Sequence, residues 1–264
     1  MLGSAQAFWT DRQAEFVPYA IDPPAYREQA APLLRALLDS LGEVAGKTVL
    51  DLGCGNGELS VYAAKRGATV WAVDFSDSGV RNTATLPDHN GVGGRVHAVV
   101  LDAMAVADLG EEFDLVMGKN VLHHLEPFED FVATLHGILR PNGRGVFLEN
   151  SARNPLLMLA RRFRGRYGIA QFGDNDEHPL QPAEIDLLRG RFSEVRVTFP
   201  VFVFFRKLAS HALRGNSLAR VTLRSLDDAL GAVLPFVRRY SYYQIIEVVS
   251  GAASAGPLPG KVQA

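Results

Sequence analysis

The chain has 264 residues, with 27 Lys/Arg against 29 Asp/Glu and a formal net charge of −2. Its 47% hydrophobic and 21% charged residues supply a core and exclude a disordered chain. The single cysteine, Cys54, excludes a disulfide framework and fits a reducing compartment.

The first residues carry no basic stretch followed by an apolar one, so no leader is expected. The strongest late apolar run, 199–205, is too short to cross a bilayer, and a soluble cytoplasmic protein is expected. Residues 24–41 place Leu33, Leu34, Leu37, Leu38 and Leu41 on one helical face, opened near Pro23-Pro24 and stopped by Gly42. The aromatics Phe8, Trp9, Phe16, Tyr19 and Tyr26 fit either a lid or ordinary helix packing, and 1–46 is assigned as a helical lid.

Nearly continuous, valine-rich apolar runs at 47–52, 69–74, 96–101, 113–118 and 145–149 read as strands buried on both faces. Helices are expected between them at 58–66, 76–85 and 127–139. This alternation gives right-handed crossovers and a parallel sheet, so 47–150 is read as the core of an α/β, Rossmann-like domain. After Glu149 the alternation stops. A helix at 182–189 and strands at 194–199 and 240–249 complete the core within 151–250, and 200–239 reads as largely helical. Two insertions, about 151–181 and 200–239, are read as substrate caps, and 251–264 as a flexible tail.

Charge is unevenly spread. Residues 1–150 hold 11 Lys/Arg against 20 Asp/Glu, a net of −9, and residues 151–241 hold 15 against 8, a net of +7. The basic segment suits an anionic partner or a membrane surface, or is simply an arginine-rich solvated face.

The strongest motif is Asp51-Leu52-Gly53-Cys54-Gly55-Asn56-Gly57, where a buried strand runs into a glycine turn that opens a helix. Such a turn lets backbone N–H groups approach a ligand closely. Asp74 and Asp102 end the next two strands, and acids at the carboxyl ends of adjacent parallel strands converge on one crevice. Asp74 could accept both hydroxyls of a ribose, and Asp102 an adenine amino group.

In these features the chain resembles the class I S-adenosylmethionine-dependent methyltransferases over roughly 30–150. Asp51, Gly53, Gly55, Asn56 and Gly57 resemble the first motif, Asp74-Phe75 the ribose-binding pair and Asp102-Ala103 the adenine-binding pair. Phe113-Asp114, followed by Val121-Leu122-His123-His124-Leu125, resembles the fourth motif, and Arg140-Pro141-Asn142-Gly143 the turn before the fifth strand. The resemblance implies a seven-stranded, mostly parallel sheet flanked by helices, with an antiparallel last strand and helical cap insertions. S-adenosylmethionine is the implied cofactor, and Lys119, just after the fourth strand, is counted with the residues that meet it.

The cofactor's methyl group is already electrophilic, so such an enzyme aligns a nucleophile and removes a proton where one is present. Histidine is the side chain suited to that near neutral pH. In small-molecule members the first of a His-His pair serves as base and the second packs, which implies His123 rather than His124. His178, in Asp176-Glu177-His178-Pro179, is the second catalytic candidate. It reads as a polarised base, a loop residue or one ligand of a metal, with Glu149 as an assisting acid. One short cluster does not make a metal site, so no metal is assigned.

The leading expectation is methyl transfer to an oxygen or carbon of a small, largely apolar acceptor, anionic or lipid-like where the basic segment meets it. Contact with a membrane surface, without spanning it, stays open, and the oligomeric state is not assigned. No nucleic-acid partner is expected, since neither a strongly basic domain nor an Asn/Asp-Pro-Pro-Tyr/Phe motif is present. A cofactor-binding protein that performs another reaction, such as a cyclisation, is the alternative.

Overall fold

A computed structural model describes residues 16–161, 178–207 and 217–251. Seven strands pair into one sheet: β1 (Thr48–Leu52), β2 (Thr69–Asp74), β3 (Val96–Val100), β4 (Phe113–Lys119), β5 (Leu139–Asn150), β6 (Glu194–Thr198) and β7 (Tyr243–Val249). Their spatial order is β3-β2-β1-β4-β5-β7-β6. Pairing is parallel from β3 through β5, and β7 runs antiparallel to both β5 and β6. The sheet is the Rossmann-like arrangement expected from the alternating runs.

The apolar runs are continuous because both faces of the sheet are covered. Leu50, Leu52 and Val116 pack to one side, under α5 (Phe128–Ile138) and α7 (Pro182–Arg191). Val49, Leu115 and Met117 pack to the other, under α2 (Pro32–Leu41) and α3 (Glu58–Lys65). Strand neighbours such as Val49 and Leu50 point to opposite faces, so both must be apolar.

The single helix expected over 24–41 is two. α1 (Pro23–Gln29) is capped by Asp22, which accepts from the Ala25 N–H at 3.2 Å. Before Pro32, Ala31 sits at ψ 148°, because the proline ring disfavours a helical residue ahead of it. α4 (Asp77–His89) starts at Ser76, whose hydroxyl accepts from Gly79 N, and runs four residues beyond the expected end at 85. β5 starts six residues before the expected 145, at Leu139.

Packing defines two further segments. Phe16 and Tyr26 pack with Ile21, Val61 and Leu86, which is core packing at the outer side of α3 and α4. Residues 201–205 form no strand. The buried Asp227 of α8 (Ser217–Val233) gathers the N–H groups of Phe204, Phe205 and Arg206 at 2.9–3.2 Å, so the chain bends there. α6 (Pro155–Arg161) is the described helix of the first insertion. Phe8, Trp9, Asp176, Glu177 and 252–264 lie outside the described residues. Among the described residues no helix is long and apolar enough to cross a membrane.

Candidate cofactor and acceptor site

The parallel register brings the carboxyl ends of β2, β1 and β4 to one edge, with Leu52 opposite both Val73 and Gly118. Strand order reverses at β1, so the connections leave it to opposite sides and open a crevice there. The glycine turn fills the bottom of this crevice. Gly53 N and Cys54 N donate to Val73 O at 2.8 and 3.0 Å, which ties the turn to β2.

Gly57, at φ 84°, begins α3, and a Cβ there would lie 2.8 Å from Thr83 Oγ1 and 3.0 Å from its Cα. Only glycine has both the left-handed conformation and the space, so Gly57 sets how closely α3 approaches α4. Gly55 N donates to Asp74 Oδ2 at 2.9 Å, and Ser76 N to Oδ1 at 2.9 Å. Each Asp74 oxygen thus carries one backbone bond and keeps a lone pair for a ligand hydroxyl. Burial raises the Asp74 carboxyl pKa, and those two bonds oppose the rise.

Around this turn lies a cavity of about 520 Å³. Its wall holds eight of the ten residues expected to meet a cofactor: Gly53, Gly55, Asn56, Asp74, Phe75, Asp102, Ala103 and Lys119. Gly57 and Asp51 stand behind the wall. Gly57 starts the helix, and Asp51 is fully buried and accepts from Ser60 Oγ at 2.6 Å. Asp102 is exposed and caps the following turn through Met104 N at 2.9 Å. Sequence reasoning missed Glu58, which lines the cavity and is hydrogen-bonded by Tyr19, itself bonded to Tyr26. That contact is where the N-terminal segment reaches the cavity.

Burial pushes the Asp51 carboxyl from an ordinary 3.8 to about 7, against the Ser60 hydrogen bond. The folded chain therefore holds this proton more tightly than the unfolded chain does. The associated stability is complete below about pH 4 and is lost as pH rises to about 7. Asp51→Asn removes this dependence. Urea unfolding at pH 5 and 8 is expected to show the variant gaining on the parent at the higher pH. An equal difference at both values would contradict a raised carboxyl.

The two histidines sit on a 3-10 turn, Leu122–His124. Their rings lie side by side, but only that of His124 reaches the cavity. His124 and Leu125 line it, whereas His123 turns inward, 5% exposed. The expectation that His123 faces the reacting groups is corrected on this geometry. His123 Nδ1 lies 2.7 Å from Glu149 Oε2, and Glu149 Oε1 accepts from Val121 N at 2.7 Å and Leu122 N at 2.8 Å. A fully buried carboxylate at the end of β5 thus holds the loop after β4. The His123 ring lies 4.2 Å, centre to centre, from that of His124. Glu149 had been paired with His178 in the expectation, but its histidine is His123.

His178 is not part of the cavity wall. Its Nε2 lies 3.1 Å from Glu126 Oε1 and its Nδ1 3.4 Å from Pro179 O. The two expected caps contribute no described residue to the cofactor cavity. Instead Val201, Val203, Arg206, Lys207 and Arg224 line a second cavity of about 350 Å³, with Pro32, Leu33 and Tyr243.

A family model described as a methyltransferase domain matches residues 49–143. The ubiquinone biosynthesis O-methyltransferases of Pseudomonas paraeruginosa and Pseudomonas putida are 31% identical over 151 residues, 57% of this chain and 61% of theirs. The match spans less than two thirds of those relatives' length. Two solved structures share the fold. The [4+2]-cyclase SpnF has a TM-score of 0.57 at 18% identity, covering 96% of this chain and 95% of that one. The magnesium protoporphyrin IX methyltransferase from Synechocystis PCC 6803, with bound SAH, has a TM-score of 0.57 at 15% identity, covering 95% and 100%. Residues 49–143 thus match a methyltransferase domain, and the strand order and glycine turn agree with that match.

Proposed function

We propose that the chain transfers a methyl group from S-adenosylmethionine to a hydroxyl oxygen of a small, largely apolar acceptor. One observation carries this reading: the Asp74-braced glycine turn and His124 line the same cavity. Asp74 would hold the ribose hydroxyls, Asp102 with Ala103 the adenine, and the glycine turn with Lys119 the remainder of the cofactor. S-adenosylmethionine supplies a methyl group on a sulfonium, which is electrophilic without further activation. The protein's part is to orient the acceptor oxygen and take its proton.

His124 is the residue placed for that proton, and Glu149 positions it through His123. With Glu149 ionised, His123 Nδ1 must carry the hydrogen of their bond, because a carboxylate only accepts. The three bonds to Glu149 then fix the turn, and the His124 ring rests against that of His123. Val121 and Leu125 supply apolar wall on the same loop as His124. The basic second cavity would suit an anionic group on the acceptor.

The fold shared with a [4+2]-cyclase gives the alternative a footing. Incubation with methyl-labelled S-adenosylmethionine and a panel of alkyl- or prenyl-substituted catechols separates the two. Label in the phenolic product with release of S-adenosylhomocysteine is expected. A product of unchanged mass formed with no cofactor consumed would replace methyl transfer by cyclisation.

A further inference from the structure

We propose that Glu126, His178 and Glu184 form a binding site for one divalent cation beside the loop that carries His124. The three come from separate segments: the turn after His124-Leu125, the strand-like bridge segment before Leu180, and the first turn of α7. One ligand atom from each lies within 4.8 Å of the other two. Ligands at about 2.1 Å from a tetrahedral ion stand roughly 3.4 Å apart, so a small closure completes the site.

Two observations beyond that clustering point to a cation. The first concerns tautomer. With the ring hydrogen on Nδ1, that nitrogen donates to the Pro179 carbonyl at 3.4 Å. In the neutral ring Nε2 is then a lone pair, and it faces a carboxylate oxygen of Glu126 at 3.1 Å. A cation between them turns that repulsion into two metal–ligand bonds, with the Pro179 carbonyl orienting the imidazole from behind.

The second concerns Glu184, which is only 9% exposed. Its Oε2 caps α7 by accepting from Gln181 N, and among the described residues its Oε1 accepts no hydrogen bond.

Two carboxylates and one imidazole form a borderline donor set, suited to Mn²⁺ or Zn²⁺ better than to Ca²⁺. Bound there, the ion would join the His124 loop to the start of α7. Asp176 and Glu177 lie outside the described residues, and the proposal departs from the sequence expectation, which assigned no metal. The inference does not depend on methyl transfer.

The test uses the full chain, stripped with chelator and titrated with Mn²⁺ by electron paramagnetic resonance and with Zn²⁺ by calorimetry. One equivalent per chain is expected. Residues that merely orient ligands are worth about 10- to 100-fold in metal affinity, so Glu126→Gln and His178→Ala should each weaken binding at least about 10-fold. Glu126 is exposed, so its variant should melt close to the metal-free parent and lose only the rise in melting temperature that metal brings. S-adenosylhomocysteine affinity on the same samples reports the cofactor site separately. Absence of stoichiometric binding, or either variant binding metal as the parent does, would overturn the site.

Discussion

His124→Ala is expected to lower turnover on a hydroxyl acceptor by about 10²–10⁴-fold, the usual contribution of a positioned acid–base group. His124 is exposed on the cavity wall, so melting temperature should stay near that of the parent. Glu149→Gln probes the arrangement behind it. The amide oxygen can still accept from Val121 N and Leu122 N, but the group facing His123 Nδ1 becomes a donor. The imidazole must then change tautomer or move, and turnover should fall with the protein still folded. Glu149→Ala should differ, because it leaves three buried donors unsatisfied at about 1–3 kcal/mol each and destabilises the whole domain. Turnover, melting temperature and S-adenosylhomocysteine affinity on the same samples separate these cases. Turnover within a few-fold of the parent for His124→Ala would remove it as the base and leave catalysis to alignment.

Asp74→Ala should weaken S-adenosylhomocysteine binding by about 1–3 kcal/mol, or roughly 5- to 150-fold. Two losses combine in this variant. The ribose hydroxyls lose a charged acceptor, and Gly55 N and Ser76 N lose the carboxylate that holds the turn in register. Asp74→Asn keeps one acceptor oxygen and should lie between parent and alanine. Calorimetric titration measures the series, with near-ultraviolet circular dichroism to verify folding. Unchanged affinity in Asp74→Ala would mean that the cavity holds its ligand elsewhere.

The central strands were readable because they are buried on both faces. A run such as Val49-Leu50-Asp51-Leu52 has no solvated side to interrupt the apolar pattern. The glycine turn was readable because backbone geometry restricts residue choice, and Gly57 tolerates no Cβ. What sequence left unread depends on contacts across long separations. Nothing local tells which of His123 and His124 turns inward, since that follows from Glu149, 26 residues away from His123. The aromatic stretch 201–205 has strand composition, yet Asp227 claims its N–H groups from more than 20 residues along the chain. His178 lies against Glu126, 52 residues earlier, and near Glu184 on the next helix, partners that no local pattern announces. A buried glutamate ending β5, directly beside β4, was the one signal that could have placed His123 in advance.

The position of β7 also bears on biosynthesis. This strand is translated after the six others, yet it sits between β5 and β6 and is the sole neighbour of β6. Until 243–249 clear the ribosome, β5 shows an open edge and β6 has nothing to pair with. At about 5–20 residues per second the nascent chain passes through this two-edged state for seconds, long enough to engage other strands or a chaperone. The sheet cannot be completed in translation order, and its last strand works as the fastener that joins the two parts.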